Sequence, residues 1–117
     1  MSIYGHYAQQ YYGNKVSFPK ESFLVAGISF YQDNCEDINY DDELNMVHEP
    51  TNKYDETAIS IINNGKLIGY VPANPDYYKK LCSENITEPL KIINIKKIEG
   101  IYGIRVIPKC FYTKKYL

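Results

Sequence analysis

Histidines and cysteines, which commonly act as catalysts or metal ligands, are few in this 117-residue sequence, and they lie far apart. His6 and His48 are widely separated, and no CxxC pair occurs among the three cysteines, Cys35, Cys82 and Cys110. A zinc site needs about four closely arranged ligands, and the three acids at residues 41–43 cannot all converge on one ion from a strand or loop. No glycine-rich phosphate loop, nucleophile elbow or HExxH motif occurs. We therefore expect no metal, no cofactor and no enzymatic activity.

A loop at residues 50–56, PTNKYDE, places a phenol ring beside a carboxylate. The carboxylate of Asp55 can accept a charge-assisted hydrogen bond from a hydroxyl, and the ring of Tyr54 offers a flat face on which another ring can stack. Both residues also have structural interpretations. Asp55 can cap the loop by accepting backbone N–H bonds, as Asp does in turns, and Tyr54 can anchor the loop on the domain. The sequence leaves both alternatives open.

Charge is segregated along the chain although the net charge is only −1. Residues 32–56 hold nine acids and one lysine, for −8, while residues 79–117 hold nine basic residues and three acids, for +6. The basic part could steer a polyanion toward one end of the molecule. Each run could equally be a solvated face, and the same applies to the individual lysines: Lys79, Lys80, Lys96, Lys97, Lys109, Lys114 and Lys115.

Composition places the chain among ordinary globular domains, with 44% apolar and 23% charged residues. A chain of this length predicts one domain. No stretch approaches the ~20 apolar residues that span a bilayer, and residues 1–10 lack the basic start and apolar run of a secretory signal. Three cysteines leave one unpaired in any disulfide scheme, which favours reduced thiols. These features predict a cytoplasmic protein without membrane contact.

The first half of the chain predicts strands separated by polar loops. Residues 23–31, FLVAGISFY, are apolar and rich in β-formers, which predicts a buried strand. Residues 32–42 predict an exposed acidic loop, and residues 43–49 a shorter strand. Asn64-Gly65 within AISIINNGKLIGYV predicts a two-residue type I′ hairpin turn. That turn implies the cross-strand pairs Asn63–Lys66, Ile62–Leu67, Ile61–Ile68 and Ile59–Tyr70, and Gly69 indicates a bulge or a close backbone approach.

The second half predicts one helix and two further strands. Asn74-Pro75-Asp76 is typical of a helix start, which predicts a helix over residues 74–84. Residues 90–98 and 101–108 predict two strands joined at Glu99-Gly100. The expected fold is mostly β (α+β), a small barrel of five or six strands with one short helix. Residues 1–21, rich in Tyr, Gln and Asn, predict a flexible or loosely docked arm, and residues 22–117 the single domain.

Five segments occur in a distinctive order and spacing: VAGISFY (25–31), VHEP (47–50), NKYD (52–55), AISI (58–61) and IGYVP (68–72). Together they resemble the HIRAN domain family, and the resemblance covers about residues 23–109. It implies a small β-barrel related to the OB and SH3-like barrels. The best-understood members bind single-stranded DNA and capture its free 3′-hydroxyl end. Carried over to this sequence, the binding residues are Phe30, Asn52, Tyr54, Asp55 and Tyr70.

The sequence also departs from the DNA-binding members of that family. Ser29 stands where they carry an arginine, Tyr70 where they carry a histidine, and Ala73 near a position that is basic in them. These substitutions remove phosphate contacts, the main source of nucleic-acid affinity. Lys96, Lys97 and Arg105 are candidate phosphate contacts, although Arg105 could instead form a surface ion pair. Phe30 and Tyr70 could likewise be core residues.

The expected function is a non-catalytic module that binds nucleic acid, favouring single-stranded DNA or its 3′-hydroxyl end. It would act beside a helicase, a nuclease or a defence-system protein, because the chain has no ATPase motif of its own. An alternative is a protein-interaction module, acting as a DNA mimic through the acidic face at residues 32–56. A small-ligand pocket under the Tyr54 loop is a third hypothesis.

Overall fold

A computed structural model of the chain describes residues 18–73 and 89–116, with side chains through Tyr112. In this part, two 3-10 turns (Ile28–Phe30 and Gln32–Cys35), one α-helix, α1 (Lys109–Tyr116), and six strands occur: β1 (Phe23–Leu24), β2 (Glu43–His48), β3 (Ile59–Asn63), β4 (Lys66–Tyr70), β5 (Leu90–Ile98) and β6 (Ile101–Pro108). The helix predicted at residues 74–84 and most of the predicted arm lie outside the described residues. The domain boundary at residue 22 stays a prediction.

The six strands form one antiparallel sheet in the order β1-β6-β5-β2-β3-β4. The chain just after β1 turns across to the far end of this order, where Ala26 bridges Tyr70 of β4. The sheet therefore curls on itself into a half-barrel, and this bridge joins the two ends of the strand order. The mostly β, OB-like fold and its six strands are as predicted.

The interior of the curled sheet is filled by aliphatic side chains from β2 to β6, together with Phe23 of β1. Leu44, Ile61, Ile68, Ile92 and Ile104 are all fully buried, and they belong to one contiguous cluster. Leu44 and Ile104 lie between more exposed neighbours, as in a half-buried strand, whereas β3, β4 and β5 also bury a residue next to Ile61, Ile68 and Ile92. This core is the rigid support on which the loops at one end of the sheet are held.

The β3–β4 hairpin turns at Asn64-Gly65 as predicted, but its register shifts by one residue. Ile62 faces Leu67 and Asn63 faces Lys66, whereas Ile61 faces Gly69, so the expected Ile61–Ile68 pair is wrong. Ser60, and not Ile59, faces Tyr70. The bulge lies between Ile61 and Ile62, and it moves Tyr70 to the face opposite the one that an unbroken hairpin would give it.

The predicted strand at residues 23–31 is also wrong beyond its first residues. β1 ends at Leu24, and Gly27 adopts φ 68°, a left-handed conformation that glycine reaches without strain. The chain then forms the 3-10 turn Ile28–Phe30, in which the N–H of Phe30 donates to the carbonyl of Gly27 over 3.1 Å. The turn leaves Phe30 exposed where a straight strand was expected.

Helix α1 is a feature that the sequence did not predict. Ile93 follows the core residue Ile92, so its side chain points away from the barrel interior, and a bulge at this point brings Ile95 opposite Ile104. Ile93 packs instead with Ile107 and with Tyr112 of α1 in a second, smaller cluster. Eight residues are too few for helical periodicity to be evident, and docking on the sheet supplies the missing stability. No helix in the described ranges has the length and apolar character needed to cross a membrane.

Candidate nucleic-acid interface

All five residues carried over from the family resemblance line a single cavity of about 520 Å³. We call it the aromatic cavity, and its lining residues are Ala26, Gly27, Phe30, Tyr31, Asn52, Tyr54, Asp55, Ala58, Tyr70, Val71 and Ala73. Three elements meet there: the turn after β1, the loop between β2 and β3, and the end of β4. The structure thus brings together residues that are up to forty positions apart, since Phe30 and Tyr70 share one wall.

Asn52 gives the β2–β3 loop its shape. Its Oδ1 accepts hydrogen bonds from the backbone N–H groups of Tyr54 (2.9 Å) and Asp55 (3.0 Å). This is the Asx-type contact by which an asparagine replaces a backbone turn. These two bonds fix the backbone of the loop where Tyr54 and Asp55 line the cavity.

Glu49 ties the loop to β4. Its Oε1 accepts a hydrogen bond from Nδ2 of Asn52 over 2.9 Å and another from the hydroxyl of Tyr70 over 3.3 Å. Desolvation, followed by the negative charge of Glu49 and the nearby Tyr31, raises the pKa of Tyr70 to about 12. Tyr70 therefore keeps its proton, and its role as a hydrogen-bond donor to Glu49, to a higher pH than an ordinary tyrosine.

Phe30 and Tyr54 are exposed although both are aromatic. The exposed fraction is 83% for Phe30 and 95% for Tyr54, so neither side chain contributes to the core. The core interpretation of Phe30 and the anchor interpretation of Tyr54 are therefore wrong. Tyr70 is half-buried, and its ring centre lies 6.5 Å from that of Tyr31. Exposed apolar surface around a concave site is typical of an interaction surface.

Asp55 takes part in the loop as well as in the cavity. Its Oδ1 accepts hydrogen bonds from the backbone N–H of Thr57 over 2.9 Å and from the Thr57 hydroxyl. The capping interpretation is thus correct for that oxygen. Capping and ligand binding are compatible, because a carboxylate has two oxygens and about four acceptor sites.

The aromatic cavity is acidic. Asp55 lines it and Glu49 lies behind Tyr70, while neither lysine nor arginine occurs among the described residues of its lining. Such a cavity favours a neutral or hydroxyl-bearing group over an anion, because like charges repel in a partly desolvated site. The departures from the family fit this picture: Ser29 is exposed and does not line the cavity, and Ala73 lines it without a charge.

The three predicted phosphate contacts lie elsewhere. Lys96 and Arg105 line a second cavity, at the β5–β6 hairpin, which shares no lining residue with the first among the described residues. Lys97 places its Nζ 4.7 Å from the ring centre of Tyr102, and Arg105 stacks on the ring of Phe18 at the same distance. Arg105 also donates to the hydroxyl of Ser22. Sequence spacing could not show this separation, since it depends on how the barrel curls.

Glu49 and Tyr31 are site residues that the sequence analysis did not select. Glu49 could have been selected from its place in VHEP, immediately before the loop. Tyr31 could have been selected because it follows Phe30. Their roles follow from contacts with Tyr70, which a linear pattern does not contain. Within residues 18–73 and 89–116, no three His, Cys, Asp or Glu side chains form a group that could hold a metal ion.

The described residues form a curled, OB-like half-barrel with the aromatic cavity between the turn after β1, the β2–β3 loop and the end of β4. Comparison with family models gives a match to the HIRAN domain over residues 21–85, more than half of the chain. The chain belongs to the HIRAN domain family, a family of binding domains, and this membership is consistent with a nucleic-acid-binding module. Neither the curated proteins nor the solved structures compared with the chain gave a significant match.

Proposed function

We propose that this protein is a non-catalytic module that binds single-stranded DNA and holds its 3′-hydroxyl end in the aromatic cavity. It would act beside a helicase, a nuclease or a defence-system protein that supplies the catalytic step. The single observation that carries this conclusion is the shared cavity of Phe30 and Tyr54, two aromatic rings that are both more than four-fifths exposed.

Exposed rings suit a nucleobase because every base has a π-face. Stacking one base on an aromatic side chain contributes roughly 1–3 kcal/mol and does not depend on the base. Phe30 and Tyr54 come from different elements, so a terminal base can contact one ring while its neighbour contacts the other. The fixed conformation of the Asn52 loop lowers the ordering cost of such binding.

A free 3′-hydroxyl is preferred over a 3′-phosphate for a reason of charge. A hydroxyl donates to the Asp55 carboxylate, and that charge-assisted bond is stronger than a neutral one. A terminal phosphate would face Asp55 and Glu49 without a basic side chain among the described lining residues to compensate. The lack of basic residues in the lining therefore supports end selection, although it lowers overall affinity.

The test is fluorescence anisotropy with a labelled single strand of ~10 nucleotides, within the usual range for one OB fold. Strands with a 3′-hydroxyl, strands with a 3′-phosphate and a blunt duplex are compared at two salt concentrations. The proposal expects tighter binding of the 3′-hydroxyl strand, with the preference reduced in Asp55→Asn. Binding that falls with salt but ignores the end would assign DNA binding to the basic hairpin, and no binding at low salt would reject the proposal.

The acidic face at residues 32–56 remains the alternative site, for docking a basic protein. At least five of its nine acids make contacts inside the fold: Asp37, Asp42, Glu43, Glu49 and Asp55. Charge reversal therefore belongs at exposed positions such as Asp33, Glu36 and Asp41. The alternative would be favoured if the parent chain binds no DNA but binds a basic partner protein, and if the triple variant no longer binds that partner.

A further inference from the structure

The second cavity, of about 530 Å³, is built on the outer face of the sheet at the β5–β6 hairpin. We call it the hairpin cavity. Strand register explains its lining, since Ile98 faces Ile101 and Lys96 faces Gly103. Residues 98 and 96 of β5 and residues 101, 103 and 105 of β6 share one face, because side chains alternate along a strand. Leu24 of β1 extends this face, since it pairs with Arg105.

Exposed aliphatic side chains are concentrated at this cavity. Among the described residues, six large hydrophobic side chains are exposed, and two of them, Phe30 and Tyr54, line the aromatic cavity. Three of the other four line the hairpin cavity, with exposed fractions of 53% for Leu24, 58% for Ile98 and 54% for Ile101. A concentrated apolar patch with a polar rim is characteristic of a protein-binding surface.

Gly103 forms the floor of the hairpin cavity. No heavy atom lies within 4 Å of the place where a Cβ on Gly103 would be. A groove therefore opens between the aliphatic tip of the hairpin and Arg105. A side chain from a partner can enter this space and contact the aliphatic walls on both sides.

The rim of the hairpin cavity is positively charged. Lys96 and Arg105 line it, Lys97 lies next to it, and Glu99 is the acidic residue of the described lining. Arg105 is held in place by the ring of Phe18 and the hydroxyl of Ser22. A fixed guanidinium is suited to pairing with a carboxylate.

We propose that the hairpin cavity docks a segment of a partner protein that presents Leu, Ile or Phe side chains flanked by Asp or Glu. The aliphatic side chains of the segment would fill the groove over Gly103, and its carboxylates would pair with Lys96 and Arg105. The two rings of the lining, Phe18 and Tyr102, already contact Arg105 and Lys97. The exposed large hydrophobic side chains of the cavity are aliphatic, which favours this occupant over a nucleic acid. Charge complementarity selects an acidic segment over a basic one. This inference does not rest on the proposed DNA binding.

The experiment is a selection from a random peptide display library against the immobilised full chain. The expected peptides combine aliphatic or aromatic side chains with acids, and fluorescence anisotropy of the synthetic peptides should then show binding. Ile98→Ser and Lys96→Glu should each weaken that binding by about tenfold. Val47→Ser is the matched control, since Val47 is 48% exposed and lines neither cavity.

Three outcomes would overturn the docking proposal. The first is a selection that yields no peptide, as expected if another segment of this chain fills the cavity. The second is a set of peptides that lack acids or that bind Ile98→Ser as tightly as the parent chain. The third is displacement of the peptides by single-stranded DNA, together with weaker binding of that DNA to the Lys96→Glu variant. That result would make the hairpin a nucleic-acid contact. Circular dichroism of each variant confirms that the fold is retained.

Discussion

The backbones of Ala26 and Tyr70 exchange two hydrogen bonds, each of 2.8 Å. This one bridge links the chain after β1 to β4 at the opposite end of the sheet order. The bridge also fixes where the turn carrying Phe30 lies relative to β4. Gly27 and this turn follow Ala26 directly, and the side chain of Tyr70 lines the same cavity. The same backbone bridge therefore closes the sheet and brings the residues of the aromatic cavity together.

Gly69 allows the close approach at this bridge, so Gly69→Ala should destabilise the protein. A Cβ at residue 69 would collide with the side chain of Val25 and the carbonyl of Ala26. The expected loss is roughly 2–3 kcal/mol of unfolding free energy, typical of overpacking, measured by urea denaturation. Gly103→Ala is the control, because its Cβ would meet open space. Equal losses in the two variants would contradict the role of Gly69 in closure.

Phe30→Ala and Tyr54→Ala should each weaken binding of a 3′-hydroxyl strand by about tenfold, corresponding to one lost stacking contact. Unfolding free energy should stay within about 0.5 kcal/mol of the parent value, because both rings are exposed. Anisotropy titration and urea denaturation measure the two quantities. Val47→Ala, outside both cavities, should change neither. A large loss of stability in Phe30→Ala would mean that the ring packs on the fold.

Asn52→Ala should destabilise the loop, because three hydrogen bonds depend on that side chain. The expected cost is about 1–2 kcal/mol of unfolding free energy. Asn52→Asp is the informative comparison, since it keeps the acceptor for the two backbone N–H groups but replaces the donor to Glu49 by a like charge. Its stability should lie between those of the parent and Asn52→Ala, and a stability equal to that of the parent would make the Glu49 contact irrelevant.

Glu49→Gln should lower discrimination between 3′-hydroxyl and 3′-phosphate strands. Glutamine keeps an acceptor oxygen for Asn52 or Tyr70 but removes the negative charge behind the cavity. Binding of the 3′-hydroxyl strand should be retained while that of the 3′-phosphate strand improves, both measured by anisotropy. A parallel loss for both strands would show that Glu49 acts only on the shape of the loop.

The free energy of unfolding at alkaline pH should depend on the ionisation of Tyr70. Its pKa is about 12 in the folded protein against 10.0 as the ordinary value. The folded state therefore retains the proton longer than the unfolded state, so this contribution to stability is complete below pH 10 and is lost as the pH rises through 12. Urea denaturation across this range should show a smaller decline in Tyr70→Phe than in the parent chain. An identical decline would contradict the raised pKa of Tyr70, which burial causes in the first place.

Local patterns predicted β2 to β6 well, whereas the strand expected at residues 23–31 is limited to β1 (Phe23–Leu24). Asn64-Gly65 placed a hairpin correctly because both positions tolerate positive φ, and Asn64 indeed has φ 50°. Gly69 indicated a bulge or a close approach, and the structure contains both. The pairing near Tyr70 was wrong because one extra residue in a strand shifts every later pair. Strand patterns do not reveal such a shift when both faces are apolar.

The candidate site was predictable as a set of residue types but not as an arrangement. Segment spacing identified Phe30, Asn52, Tyr54, Asp55 and Tyr70, which all line one cavity. The exposure of Phe30 was not evident, because FLVAGISFY has the composition of a buried strand and only the left-handed Gly27 turns the chain outward. Helix α1 was missed for a related reason, since its stability comes from packing on Ile93 and Ile107.

The sequence by itself determined the strands, the hairpin turn, the polar loop and the family, because these depend on residues close together in the chain. Only the tertiary structure decided that Ala26 meets Tyr70, that Glu49 joins Asn52 to Tyr70, and that Lys96 and Arg105 line a different cavity from Asp55. Each of these contacts depends on the curl and register of the whole sheet. Sheet closure joins backbone groups that are far apart in sequence, and no local preference specifies which of them meet.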